Sequence, residues 1–485
     1  MKQPSHRRGY LLIHTLVFGA IGILFVGALS SWGAVNLRST KLLAVREQSF
    51  QIAEAGLEYY RWHLAHAPQD FQDGTGAPGP YVHDYFDKDG NKIGTFTLTI
   101  TPPPVGSTLV VVVSEGRTLA APTVSRKLEA RLAIPSLAKY AVAANAKMRF
   151  GEGTEVIGPI HSNDGIRFDG LARNVVTSAQ ADYDDPDHSG AHEFGVHTHL
   201  NAPPASGSND SFRPAEAPPA AVADRPDVFE AGRQFPVPAI DFNGFASDLA
   251  AIKTAAQASG RFFAGSGSLG YQVVLKTNDT FDLYRVTSLY GTGSSCSDSQ
   301  NQDDWGSWSI RRLSNKLGTY NFPANGLIFL QDDVWVEGQI SGARLTIAAA
   351  RFPENPSTNA HITVNEDLKY TYYDGQDVLG LIAQGNINIG QRSADNLRID
   401  GALVAKNGRV GRYYYSAWGC SPYGVRDRIE LYGMIATNER YGFAYTDNTG
   451  YQDRILTYDA NLLYGPPPSF PLTADYYQVL SWREI

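Results

Sequence analysis

The sequence predicts an α+β protein with a long N-terminal membrane-spanning helix, a small antiparallel sheet and a large, mainly β domain. Three observations predict this. Residues 9–37 contain no Asp, Glu, Lys or Arg, and the segment from Arg38 to His66 contains no Pro. Residues 93–134 include runs that alternate apolar and polar in period two, as a strand with one buried face does. From Tyr140 onward, short apolar runs are broken repeatedly by Gly or Asn-Gly.

Composition bounds the function. A chain of 485 residues has a soft prior of about three domains. Its 49 acidic and 41 basic residues give a net charge of −8, which opposes a general nucleic-acid binder. Two cysteines exclude a disulfide-dense scaffold and a four-Cys zinc site. Charged residues make up 19%, below the usual share of about 25%. Part of that deficit sits at the N-terminus.

Tyr10 to Val35, 26 mostly apolar residues, forms a helix of about 39 Å, long enough to span a bilayer with tilt. Lys2, Arg7 and Arg8 precede it, so the positive-inside rule keeps the N-terminus cytoplasmic and exports the chain beyond the span. A cleaved signal peptide is the alternative, with a small-residue site near Ala28-Leu29-Ser30. The apolar stretch is longer than the 7–15 residues usual for one. Beyond the span, Leu42, Val45, Ser49, Ile52 and Gly56 recur at helical spacing, flanked by Ala53, Leu57 and Leu64. Tyr10 to His66 then reads as one helix of roughly 85 Å.

Arg7-Arg8-Gly9 followed by Tyr10-Leu11-Leu12, the long helix, and Ala53-Glu54-Ala55-Gly56-Leu57-Glu58 together resemble the type IV pilin superfamily, and in particular PilX-type minor pilins and large minor pseudopilins. The resemblance implies a prepilin leader at 1–9, cleavage after Gly9 by a prepilin peptidase, and N-methylation of Tyr10. It implies a single-pass, N-in protein of the inner membrane that later packs its helix, through residues such as Leu11, Leu12, Phe18, Ile23 and Phe25, against other pilin subunits. There is one departure. Major pilins carry Glu at the fifth mature position, and His14 stands there. The lack of Glu favours a minor subunit.

The next segment, 67–138, reads as the pilin-like sheet. Pro68 ends the helix, and strands are expected at Ile93–Thr101, Leu109–Val113 and Ser125–Ile134. Asp87-Lys88-Asp89-Gly90-Asn91 offers carboxylates but departs from EF-hand spacing, so a turn is expected there.

The exported β domain is expected over 139–200 and 239–485, separated by a linker or insertion at 201–238 that holds eight Pro. Runs such as Val334–Ile340, Leu379–Ile389, Leu397–Val404 and Ile429–Ile435 suit the rungs of a β-solenoid, with Gly at corners. The spacing is irregular, 16 residues from Gly385 to Gly401 and 32 from Gly401 to Gly433, so a β-sandwich is the alternative. A helix near 242–259 is expected, capped by Asp241, with Phe242, Phe245, Leu249, Ile252 and Ala256 on one face. Val156–Gly170, Gly380–Gly408 and the C-terminal stretch ending at Ser481-Trp482 also resemble exported domains of PilX-type proteins, which points to location more than to chemistry.

Candidate chemistry is sparse. His188, His192, His197 and His199 lie among Asp182, Asp184, Asp185, Asp187 and Glu193, residue types that suit zinc, copper or nickel. The spacing fails His-Glu-x-x-His, which needs its second His at 196, and the Gly- and Asp-rich context reads as a polar surface loop, so no metal is expected. Asp303-Asp304 and Asp332-Asp333 are adjacent pairs that point to opposite faces of a strand and read as exposed loop acids. Cys296 and Cys420 suit one disulfide in an oxidising compartment. The Tyr-rich C-terminal part, including Tyr413-Tyr414-Tyr415, suits strand packing, with an adhesive surface as alternative.

These readings converge on a non-enzymatic, minor pilin-like structural subunit without cofactors. Its expected partners are other pilin subunits, the prepilin peptidase and assembly machinery, the inner membrane, and surface glycans or a cell surface. The alternatives are a membrane-anchored surface-binding module and a β-solenoid polysaccharide hydrolase or lyase.

Overall fold

The computed structural model describes residues 9–136, 138–187, 192–201, 216–242, 249–472 and 475–485. The chain forms two compact units: Met1–Pro102, Val110–Ala133 and Tyr476–Ile485 make the first, and Pro103–Leu109 and Ile134–Asp475 the second.

The first unit is a helix, α1 (Gly9–His66), with an antiparallel sheet on its C-terminal half. The sheet comprises β1 (Tyr81–Phe86), β2 (Lys92–Thr101), β3 (Val110–Thr118), β4 (Ser125–Ala133) and, at its edge, the C-terminal strand Gln478–Glu484. The period-two pattern puts Phe96, Leu98, Val110, Val112, Leu128, Ala130 and Leu132 on the face that meets Ile52, Ala53, Leu57, Tyr60 and Leu64 of α1. Two glycines allow close approach: a Cβ on Gly116 would lie 2.1 Å from the Ser49 carbonyl oxygen, and one on Gly56 would lie 2.3 Å from Ser114 Oγ. The apolar stripe of α1 outruns the sheet. Ser49 is buried, whereas Leu42 is exposed, because no strand reaches it. Asp87 makes the expected turn, its Oδ1 accepting the N–H groups of Asp89 and Asn91 at 2.9 and 2.8 Å.

The large domain, expected from the sequence to run through residue 485, ends earlier. Gln478–Glu484 pairs with β4 in the first unit, Gln478 opposite Ala133 and Trp482 opposite Ala130. A pairing between strands so distant along the chain leaves no local sequence signal.

The second unit is built from parallel ladders, which rules out the antiparallel sandwich alternative for these strands. In one ladder Ile328, Ile347, Leu381, Leu403 and Ile435 stack in register, followed by Val142, Ile160 and Val176. All eight side chains are fully buried. This is the stacking of a β-solenoid. The order is permuted. Val142–Ala144 pairs with Ile435–Thr437, so the chain enters mid-stack, builds one end through Arg233–Gln234, and restarts at the other end with Arg261–Phe263. The irregular glycine spacing follows from position: Gly401 stacks on Gly433 one rung later, whereas Gly385 lies elsewhere on its rung, where Gly380 is the partner of Ala402. At Gly433, φ is 146° and a Cβ would lie 2.0 Å from the Gly401 carbonyl oxygen, so this stacked pair of corners needs glycine.

The neighbouring positions Phe329, Ala348, Ile382, Val404, Ala436 and Ala143 form a second apolar row. It is covered by α2 (Leu249–Ser259), through Leu249, Ile252 and Ala256. Phe242 packs into the same cluster, while Phe245 and the expected first turn of that helix lie outside the described residues. Of the Pro-rich stretch 201–238, residues 202–215 also lie outside them; within the remainder Val228 and Phe229 are buried in the core.

Candidate functional site

Two features stand out: the N-terminal half of α1, and a buried cluster of histidines and carboxylates. Along α1, Leu11, Leu12, Phe18, Ile23 and Phe25 are each 66–76% exposed. An 18-residue window of this helix has a mean hydropathy of 2.3 and none of it is buried. Two polar side chains inside the run, His14 and Thr15, are bonded within the helix. His14 Nδ1 lies 2.5 Å from the Tyr10 carbonyl oxygen, and Thr15 Oγ1 donates to the Leu11 carbonyl at 2.8 Å. Such internal bonding lowers the cost of placing them in an apolar phase. Gly9 opens the helix and Tyr10 follows it; Arg7 and Arg8 lie outside the described residues.

The histidine segment is not a surface loop, contrary to the expectation from its composition. Glu193–Phe194 pairs antiparallel with Asp182–Tyr183, and Val196–His197 pairs in parallel with Ile166–Phe168, placing His197 opposite Arg167. These long-range pairings bury Asp185, Glu193, His197 and His199, whose potential ligand atoms all lie within 4.8 Å of one another. His199 Nε2 is 2.9 Å from Glu193 Oε1. His197 Nε2 is 3.1 Å from Glu193 Oε2 and 3.5 Å from Asp185 Oδ2, without hydrogen-bond geometry. His192, by contrast, is exposed, its Nδ1 2.7 Å from Asp182 Oδ1. His188 lies outside the described residues.

An outer layer supports this cluster. Asp169 Oδ1 accepts the His199 backbone N–H at 2.8 Å, and Asp169 Oδ2 accepts from Arg167 Nε at 2.6 Å. Arg167 Nη1 is 3.7 Å from Asp185 Oδ2. Tyr183 packs on His197 with ring centroids 5.4 Å apart. Burial works to raise the Asp185 pKa, but the adjacent His197 ring, the Asp187 N–H and the Arg167 charge outweigh it and hold the carboxyl well below its usual range. Sequence reasoning missed Arg167, Asp169 and Tyr183 as members. Alternation in Ile166-Arg167-Phe168-Asp169 was the signal for Arg167 and Asp169, with no indication of which segment they face, and Tyr183 had none.

Elsewhere on the second unit, a polar cleft of ≈ 1250 Å³ is lined in part by Asp303, Asp304, Arg409, Glu439, Tyr445 and Asp447. Burial, with added repulsion from Asp303 and Asp304, raises the Glu439 pKa against the opposing pull of Arg409. Asp304 is exposed as its composition suggested, but Asp332 is not: its Oδ2 accepts from the Ser266 N–H and Oγ at 2.8 and 2.6 Å, and its Oδ1 lies 2.7 Å from Arg351. That carboxylate ties rungs together. Cys296 and Cys420 form a disulfide with Cα atoms 4.6 Å apart, packed with Tyr413 and Tyr415. Trp418, in the same loop, is 94% exposed.

No protein-family model matches the chain, and no curated protein matches it. Among solved structures, it is similar to the crystal structure of the competence-associated pilin ComZ from Thermus thermophilus. The two share 15% identity and a TM-score of 0.30 over 91% of this chain and 98% of that one. A likeness of that strength carries no argument about fold or function.

Proposed function

We propose that this chain is a minor pilin-like structural subunit of a type IV pilus or related pseudopilus. The apolar half of α1 anchors it, N-terminus inward, in the inner membrane and later packs against the helices of other subunits, while both β units are displayed outside. The observation that carries this reading is the division of α1. From Ser49 onward the helix supplies the buried face of a sheet, and before it an apolar run of bilayer-spanning length is left unburied by the described residues. A peptidase cutting after Gly9 frees Tyr10 as the new N-terminus. His14 in place of the acidic residue of major pilins supports a minor position. The function is assembly and display, not catalysis.

Mass spectrometry of the mature N-terminus, on protein taken from membranes and sheared filaments, tests the reading. A chain beginning at N-methylated Tyr10 is expected; an intact Met1, or a start after residue 28, overturns it. A second reading, a surface-binding module, is favoured by the polar cleft and by Trp418. Glycan-array binding by the full chain in detergent, lost on Trp418→Ala or Asp304→Asn, is its expected outcome.

A further inference from the structure

We propose that Asp185, Glu193, His197 and His199 form a structural binding site for one divalent transition-metal cation, zinc in preference. The argument starts from His197. Its side chain is fully buried, and among the described residues neither ring nitrogen has a hydrogen-bond partner. A neutral imidazole has one N–H and one lone pair, and leaving such groups unsatisfied in the interior is costly. Asp185 repeats the pattern: Oδ1 accepts the Asp187 N–H at 3.0 Å, whereas Oδ2, turned toward His197, accepts no hydrogen bond. His197 Nε2 and Asp185 Oδ2, 3.5 Å apart, therefore face one point.

The geometry at that point suits a small tetrahedral ion. Bonds of about 2.1 Å place the ligand atoms of tetrahedral zinc about 3.4 Å apart. Here His197 Nε2 lies 3.1 Å from Glu193 Oε2 and 3.5 Å from Asp185 Oδ2, His199 Nε2 lies 2.9 Å from the other Glu193 oxygen, Oε1, and one ligand atom from each of the four residues lies within 4.8 Å of the rest. Two imidazoles and two carboxylates form a borderline N and O donor set, which selects zinc or a similar transition metal over calcium or magnesium. Asp169, which fixes the His199 backbone and holds the Arg167 guanidinium, supplies the outer layer that orients ligands. Four protein ligands close the coordination sphere, so the ion has a structural role. It clamps the segment around 185 to 193–199, which itself pairs with the strand Ile166–Phe168.

The test uses the full chain in detergent. After equilibration with Zn²⁺ and dialysis, elemental analysis is expected to find one zinc per chain, lost in His197→Gln and Glu193→Gln and kept in His192→Gln. Zn²⁺ is expected to raise the thermal midpoint of chelator-stripped wild type by several degrees, with Mg²⁺ and Ca²⁺ giving no rise. Should the buried variants fail to fold, wild type carries the test alone: Co²⁺ is expected to give the intense visible bands of a tetrahedral site. No retained zinc and a midpoint indifferent to Zn²⁺ overturn the proposal, leaving a metal-free network of imidazoles and carboxylates. Zinc lost equally from His192→Gln overturns it as well.

Discussion

Arg412 shows how much of the second unit rests on single side chains. It is fully buried, and no carboxylate is among its bonding partners within the described residues. Its guanidinium donates to the carbonyls of Gly390, Gln391 and Tyr423 and to Ser393 Oγ, and it stacks on Tyr415 at 4.7 Å. Burial pulls its pKa down, yet the ring of acceptors matches a planar fork that Lys lacks. Arg412→Lys should therefore leave buried carbonyls unsatisfied and cost about 2–4 kcal/mol, read as a lower denaturation midpoint. Two histidines make stability pH-dependent. Burial lowers the pKa of both His161 and His361 from 6.5, and His361 Nδ1 accepts the Asn386 N–H at 2.9 Å, which requires it unprotonated. The folded state then binds fewer protons than the unfolded one. This contribution is intact above pH 6.5 and is lost as pH falls through that value toward the folded pKa values. Melting of chelator-treated protein from pH about 7.5 to about 5 should show a falling midpoint, with a shallower slope in His361→Gln; a rising midpoint refutes the assignment. At this scale the sequence was legible in residue type and illegible in partner. His197 and His199 stood out as ligand types, but the strand bearing Arg167 that buries them is chosen by long-range pairing, and local composition pointed to a surface loop instead.

Individual elements were more legible, because periodicity is local. The alternation of Thr95-Phe96-Thr97-Leu98-Thr99-Ile100 announces β2, and the spacing of Ile52, Gly56 and Leu57 announces the buried face of α1. Tyr81–Phe86 and Gln478–Glu484 were missed: neither carries a clean alternation of apolar and polar residue types, and both lie at the two edges of their sheet, the C-terminal strand largely exposed. Gly116 tests how closely helix and sheet must fit. Any Cβ there meets the Ser49 carbonyl at 2.1 Å and the Ala53 nitrogen at 2.4 Å, both backbone atoms that move only if α1 moves. Gly116→Ala is expected to cost about 1–3 kcal/mol, as overpacking does, and to speed hydrogen exchange in α1 beyond Ser49 while leaving the solenoid rungs unchanged. The disulfide acts on a longer stretch. It closes a separation of 124 residues, for which chain entropy assigns about 4–5 kcal/mol. Cys420→Ser should lower the melting midpoint of the second unit accordingly, and reduction of wild type should reproduce the loss.

At the scale of the whole molecule, the consequential finding is that the solenoid is inserted into a sheet, not appended to it. Ala133, at the end of β4, is the register partner of Gln478, at the start of the C-terminal strand. Antiparallel partners lie about 5 Å apart, a gap that an ordinary hairpin loop closes. The chain leaves the sheet at Ala133, builds the second unit from Ile134 to Asp475, and returns to the adjacent position. The permuted rung order fits such an insertion, since the unit's first rung, Val142–Ala144, stacks on one of its last, Ile435–Thr437. None of this topology was legible, because neither strand records locally that the other is its neighbour. It does have a direct test. Replacing residues 135–475 with Gly-Ser joins β4 to the C-terminal strand through a five-residue loop of Ile134, Gly, Ser, Tyr476 and Tyr477. Tyr477 is retained because its hydroxyl donates to the Pro68 carbonyl at 3.1 Å. The core of α1 against the sheet lies wholly within the first unit, so the shortened chain in detergent should keep its helix, melt cooperatively and protect the amides of β3 and β4 from exchange. A non-cooperative melt with unprotected β4 would mean that the sheet needs the solenoid to fold, and that the large unit is part of the scaffold it interrupts.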